Sequence, residues 1–129
     1  MHDDDLITDI DRTIDTHLDA YGEPDPGRRA QLLTGVWAAD GRLVDPPLEA
    51  TGPAGIGDVA GAVQVQFPGH SFRRTSGIDV HHGVARYAWE LVAPDGAVAL
   101  RGTDVADLDD DGRLRRIVGF FDPMPALVA

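Results

Sequence analysis

Apolar positions in the first part of the chain recur at helical spacing. Leu6, Ile7, Ile10, Ile14, Leu18 and Tyr21 trace one stripe, with acids crowding the first turn, and predict an amphipathic helix. "GEPDPG" stops that helix, and Asp25 can cap a second one with Pro26 at its first position. Leu32, Leu33, Val36 and Trp37 supply the second apolar stripe. "GRLVDPP" reads as a short extended segment ended by prolines. Ile56, Val59, Ala60, Val63 and Phe67 then predict a third helix, broken by Pro68-Gly69.

After Gly69 the period changes. "HSFRRTSGIDV", "VARYAWELV", "AVALRGTDVADL" and "RLRRIVGFF" are rich in β-branched and aromatic residues, and "HHG", "APDG" and "DDDG" separate them as turns. Helices followed by antiparallel strands predict an α+β fold, a twisted sheet with helices on one face and a pocket between them. No repeat, linker or low-complexity stretch interrupts the 129 residues, which suit one domain over 1–129.

Charge narrows the partners. With 22 acids against 11 bases the formal charge is −11, a field that repels phosphate backbones and anionic lipid heads. Neither nucleic acid nor membrane is expected as a partner. The absence of cysteine excludes disulfides, thiol catalysis and thiolate metal sites. "MHDDDLITDI" is acidic where a secretion signal is basic, and no apolar run approaches the ~20 residues that span a bilayer, so a cytoplasmic location is expected. Every Lys/Arg position is arginine and asparagine is missing too, a pattern of GC-rich bacterial codon usage.

The aspartates carry the candidate chemistry. In "DLDDDGRL" the alternation of Asp107, Asp109 and Asp111 before Gly112 matches the first half of a calcium loop. The twelfth position, which must be a bidentate carboxylate, is Val118, and strands flank the segment where helices are required. Asp110-Asp111-Gly112 is therefore expected to turn a hairpin. Just upstream, the strand period puts Leu100, Gly102, Asp104, Ala106 and Leu108 on one face, with Asp104 its only charge. If that face is buried, desolvation raises the pKa of Asp104 and keeps it protonated near neutrality; otherwise it is a solvated strand residue.

On "VARYAWELV", Arg86, Ala88 and Glu90 share one face and Tyr87, Trp89 and Leu91 the other. Facing inward, Arg86 and Glu90 form a buried pair or anchor an anionic group; facing outward, they are surface charges and Trp89 lines the cavity. His81 and His82 are expected to be solvated in a hairpin and His70 in a loop, and no metal site is expected from them. Nor is there a Gly-rich phosphate loop, a Gly-x-Ser-x-Gly elbow or a His-Glu-x-x-His helix.

The stretches "LLTGVWAADGRLVDP", "GPAGI" and "GTDVADLDDDGRLRRIVGFFD", with the order of elements, resemble the nuclear transport factor 2-like superfamily, and within it the SnoaL-like and ketosteroid-isomerase-like branch. The resemblance covers nearly the whole chain and is most specific at "DGRL"–strand–"GFFD". It implies a cone: three N-terminal helices packed on a strongly curved, mostly antiparallel sheet that encloses a pocket, with homodimerisation through the sheet.

The resemblance also implies roles. Asp45, before Pro46, stands where ketosteroid isomerases carry their general base, and Asp104 where they carry the protonated aspartate of the oxyanion hole. Such a neutral carboxylic acid is a documented property of that enzyme and is carried over by similarity alone. The family's tyrosine donor on the first helix is matched best by His17, with Tyr21 the second choice. Limonene epoxide hydrolases share the fold, and Arg86 falls where their arginine would be. Ala88 and Gly119 replace their aspartates, which disfavours that reaction. SnoaL-like cyclases use a pocket acid or base for aldol closure without metal or organic cofactor, and Asp122 in "GFFDP" is a further candidate there.

The resulting expectation is a cofactor-independent isomerase or cyclase acting on a hydrophobic carbonyl compound, steroid- or polyketide-like. Asp45, Asp104 and His17 are the catalytic candidates, and Tyr21, Trp37, Arg86, Glu90, Phe120 and Asp122 the substrate-binding ones. Asp45 also fits a turn-forming Asp-Pro, and Trp37 a core residue. The competing expectations are a non-catalytic ligand-binding or dimerisation module of the same fold, or a protein with a vestigial pocket. A cavity faced by both Asp45 and Asp104 favours catalysis, whereas a filled cavity or a solvated acid argues against it.

Overall fold

A computed structural model describes residues 3–128, with side chains from residue 9 onward; the side chains of Leu6 and Ile7 thus lie outside the described residues. Helix α1 (Asp3–Ala20) and helix α2 (Pro26–Val36) come first. The strands β1 (Trp37–Asp45) and β2 (Leu48–Thr51) precede helix α3 (Gly52–Gln66). The strands β3 (Ser71–Arg74), β4 (Asp79–His81), β5 (Val84–Val92), β6 (Val98–Leu108) and β7 (Leu114–Phe121) complete the chain. Asp25 caps α2 as expected: its carboxylate accepts the N–H of Gly27, and Pro26 opens the helix. Such a cap is worth about 1 kcal/mol.

The seven strands form one open sheet in the order β2-β1-β7-β6-β5-β3, with β4 also on β5. All neighbours are antiparallel except β1 and β7. The helices pack on one face, α1 over β3 and α3 over β1 and β2, with α2 against both other helices. Ile14, Leu18, Leu33, Ile56 and Ala60 from the helices meet Leu43, Tyr87, Trp89, Ala106 and Ile117 from the sheet in a buried core. This is the expected α+β cone. Among the described residues no helix is long and apolar enough to cross a membrane.

Two elements differ from expectation. Trp37, placed on the second helical stripe, begins β1, so the extended segment expected at "GRLVDPP" starts earlier, and its prolines turn the chain into β2, which periodicity did not mark. No turn residue marks the helix-to-strand junction, so periodicity alone runs past it. The predicted strand "HSFRRTSGIDV" divides into β3 and β4, because the Ser76 hydroxyl accepts the N–H of Ala88 and interrupts the ladder. In "DLDDDGRL", Asp109 Oδ1 accepts the N–H groups of Asp111 and Arg113, and Gly112 takes a left-handed φ of 80°. It is a hairpin turn held by its own first aspartate.

Candidate active site

The register of three strands builds the site. Val44 of β1 pairs with Val118 of β7, so Asp45 follows beside Gly119, and Gly119 pairs with Asp104 of β6. A carboxylate, a glycine and a carboxylate therefore stand in a row across the sheet. A Cβ on Gly119 would lie 2.8 Å from Asp45 Oδ1 and 3.0 Å from Asp104 Oδ1. The missing side chain is what lets the two acids face one another.

Asp104 is 6% exposed and held at both oxygens. The Tyr87 hydroxyl donates to Oδ2 at 2.8 Å, and the Trp89 indole N–H donates to Oδ1 at 2.9 Å. Trp89 reaches it by lying flat over Gly102, its cross-strand partner, where a Cβ would collide with the indole. Burial raises the Asp104 pKa to about 7, helped by the charge of Asp45 and opposed by the bonds from Tyr87 and Trp89. Asp45 Oδ1 is buried without a hydrogen-bond partner among the described residues, and burial raises this pKa as well. The charge of Asp45 adds to the upward push on Asp104, so the two acids titrate as a coupled pair.

These acids line a cavity with His17, Leu18, Tyr21, Leu43, Phe72 and Trp89. Its volume is about 20 Å³. That is room for roughly one water, against about 300–1,000 Å³ for a typical ligand pocket. Both acids face the cavity, as catalysis requires, yet the space is nearly filled. Leu18 and Phe72 also line a depression on the outer side, together with Asp15, Asp19, Arg73 and Arg74. Leu18 and Phe72 thus stand between the cavity and that depression, where α1 meets the edge strand β3. Arg74 ties those elements together by donating to both oxygens of Asp15, at 2.8 and 3.0 Å.

His17 and Tyr21, one helical turn apart, both reach the cavity. Burial holds the His17 pKa down at about 3, so the ring is neutral. Burial, then the charges of Asp45 and Asp104, push the Tyr21 pKa far up, which keeps its hydroxyl protonated. Trp37, expected as a substrate contact, is a buried core residue outside the cavity lining, and its indole N–H donates to His17 Nδ1 at 3.1 Å.

The other expected contacts lie elsewhere. Arg86 and Glu90 are on the opposite face of β5, because alternation turns Tyr87, Trp89 and Leu91 toward the helices. Arg86 donates to Asp79, and Glu90 accepts from Arg73 and Arg101, whose hydrogen bonds (Arg101 first) lower its pKa. Phe120 pairs with Thr103 and is exposed, while Asp122 lies exposed beyond the end of β7. The residues set against the two acids are instead Tyr87, Trp89 and Gly119, with Phe72 in the cavity wall. The period-2 pattern marks Tyr87 and Trp89 as a face; no sequence signal marks Phe72. Among the described residues, no group of three or more His, Cys, Asp or Glu side chains is placed to hold a metal.

No protein-family model matches the chain, and no curated protein sequence does. Solved structures do. A proposed isomerase of the SnoaL-like family from Agrobacterium tumefaciens superposes with a TM-score of 0.83 at 36% identity, over 90% of this chain and 99% of that one. A proposed SnoaL-like polyketide cyclase from Jannaschia sp. CCS1 superposes at 0.70 with 13% identity, covering 91% and 88% of the two chains. A protein of ketosteroid isomerase-like fold from Catenulispora acidiphila, in complex with trimethylamine, superposes at 0.67 with 13% identity over 84% and 83%. The last two share the fold alone. The identity to the first extends along nearly its whole length, and the chain belongs to the SnoaL-like family.

Proposed function

We propose that this protein is a cofactor-independent enzyme that isomerises or cyclises a hydrophobic carbonyl compound by proton transfer. The observation that carries this reading is the pair Asp45 and Asp104, facing one another over Gly119 with one acid poised near neutrality. A general acid or base works best when its pKa lies near the working pH. Asp45 takes a proton from the carbon next to the carbonyl. Asp104 is pinned by Tyr87 and Trp89, and the indole is donor-only, so a proton on Oδ1 points away from Trp89 toward the developing enolate. Tyr21, just past the end of α1, adds a second donor. The low-dielectric surroundings strengthen these bonds as charge develops. Returning the proton to another carbon gives isomerisation; attack of the enolate carbon on a second carbonyl gives aldol closure. A substrate of steroid or polyketide size gains access by displacing Phe72 and Leu18.

The water-sized cavity favours a second reading, a non-catalytic small-molecule-binding or dimerisation module. Exchange of substrate C–H for deuterium, followed by NMR over a panel of enones and aromatic polyketide-like ketones, separates the two. Exchange that is lost in Asp45→Asn and in Asp104→Asn supports the enzyme. Exchange that survives both substitutions removes the assignment, and binding without exchange supports the module. A second copy of the chain would meet the outer sheet face, where Phe120 and Val84 are exposed and Glu90 is paired with Arg73 and Arg101. Light scattering tests this: a dimer that Phe120→Glu converts to a monomer is the expected result.

A further inference from the structure

We infer that Trp37 is a positioning residue: by donating its indole N–H to Nδ1 of His17 it fixes that ring as the Nε2–H tautomer, a standing donor at the cavity. The argument begins with hydrogen-bond inventory. An indole nitrogen only donates, and an imidazole nitrogen that accepts carries no proton. The 3.1 Å contact from Trp37 Nε1 to His17 Nδ1 therefore leaves Nε2 as the protonated nitrogen of the neutral ring.

Burial makes this arrangement costly to leave. Trp37 is 1% and His17 2% exposed, so water cannot replace the bond. Moving the proton to Nδ1 would set two donors against each other in the core. Turning the ring over would set Cδ2–H against the indole and leave both nitrogens unpaired there. The bond thus selects both the tautomer and the way the ring faces. His17 is also held edge-on to Tyr21, with centroids 5.3 Å apart and planes at 82°.

Trp37 is itself seated by the backbone. Its indole lies against Gly41, where any Cβ would collide with the ring, at the register shift of β1 on β7. His17 lines the cavity and Trp37 does not, so the indole acts only through the imidazole. The low pKa of His17 is consistent with a ring that donates and does not exchange protons. Within the proposed function, on which the use of this donor rests, His17 stabilises the enolate oxygen beside Tyr21 and is never the base.

The tautomer is measured without turnover. Long-range 1H–15N correlation of the wild-type protein should show His17 with an unprotonated Nδ1 and a protonated Nε2, unchanged between about pH 5 and 8. Coupling across the N–H···N bond should connect the Trp37 indole to Nδ1. Trp37→Phe keeps an aromatic ring without the donor, and should bring Nδ1–H into the spectrum. A protonated Nδ1, a tautomer mixture or a titrating ring in the wild type overturns the inference, as does an unchanged His17 pattern in Trp37→Phe. Should Trp37→Phe not fold, the wild-type spectrum and coupling still decide. A fixed Nε2–H tautomer with no deuterium exchange on any carbonyl compound would leave the inference standing and remove the proposed function.

Discussion

Asp45 and Asp104 are carried on strands that do not touch each other, yet one oxygen of each points at the same empty valence of Gly119 on the strand between. Gly119→Ala puts a methyl group within 3.1 Å of both carboxylates, one of them met at its carbon as well as its oxygen. The acids must separate. The expected result is a loss of about 1–3 kcal/mol in denaturant unfolding, as for other overpacked sites, together with loss of the proposed exchange activity. A stable, active alanine variant would show that the acids work independently.

Asp104 and His17 drive stability in opposite directions with pH. Asp104 titrates near 7 in the fold against about 3.9 unfolded, so between those values the native state holds the extra proton and stability falls as pH rises. His17 titrates near 3 in the fold against about 6.5 unfolded, so across that range the unfolded state holds the extra proton and stability falls as pH drops. At about 1.4 kcal/mol per pKa unit, each effect is on the order of 4 kcal/mol at full extent. Denaturant unfolding from pH 4 to 7 should show the wild type losing stability relative to Asp104→Asn with rising pH. The same measurement should show it gaining stability relative to His17→Gln.

Tyr87→Phe removes the hydroxyl that donates to Asp104 Oδ2, a bond that favours the charged carboxylate. The Asp104 pKa should therefore climb above its present value of about 7, read from the carboxyl 13C shift against pH. Any activity that needs Asp104 protonated should persist to higher pH in this variant. An unchanged or lower value would mean that the bond does not tune the acid.

Phe72 is packed edge-on between Tyr21 and Trp89, at centroid distances of 5.0 and 5.3 Å, and is only partly buried. Phe72→Ala should open the cavity toward the outer depression. Because the ring is not fully buried, the cost should fall below the ~3–5 kcal/mol of a fully buried phenylalanine. Binding of larger aromatic ketones, followed by quenching of Trp89 fluorescence, should strengthen. If small and large ligands respond alike, access runs elsewhere.

Much of this was legible before folding. Periodicity placed the helices and the later strands, because each must turn an apolar stripe or face to one core. It singled out Asp104 by the same logic, since one charge on an otherwise apolar strand face is a desolvated charge once that face is covered. Alternation also defines two faces on β5, so Arg86 and Glu90 stand together whichever way they look.

Which way they looked depended on where the helices pack, and that is a tertiary fact. The sequence by itself determined most of the elements, their faces and Asp104 as an acid to test, because these follow from local geometry and the cost of burying charge; Asp45 came forward through the family resemblance. Only the tertiary structure decided that Arg86, Glu90 and Phe120 face outward, and that Trp37 serves His17. It alone placed Gly119 between the acids, because the pairing of β1 with β7 and β7 with β6 joins residues far apart in the chain. No period along one strand records what lies on the next.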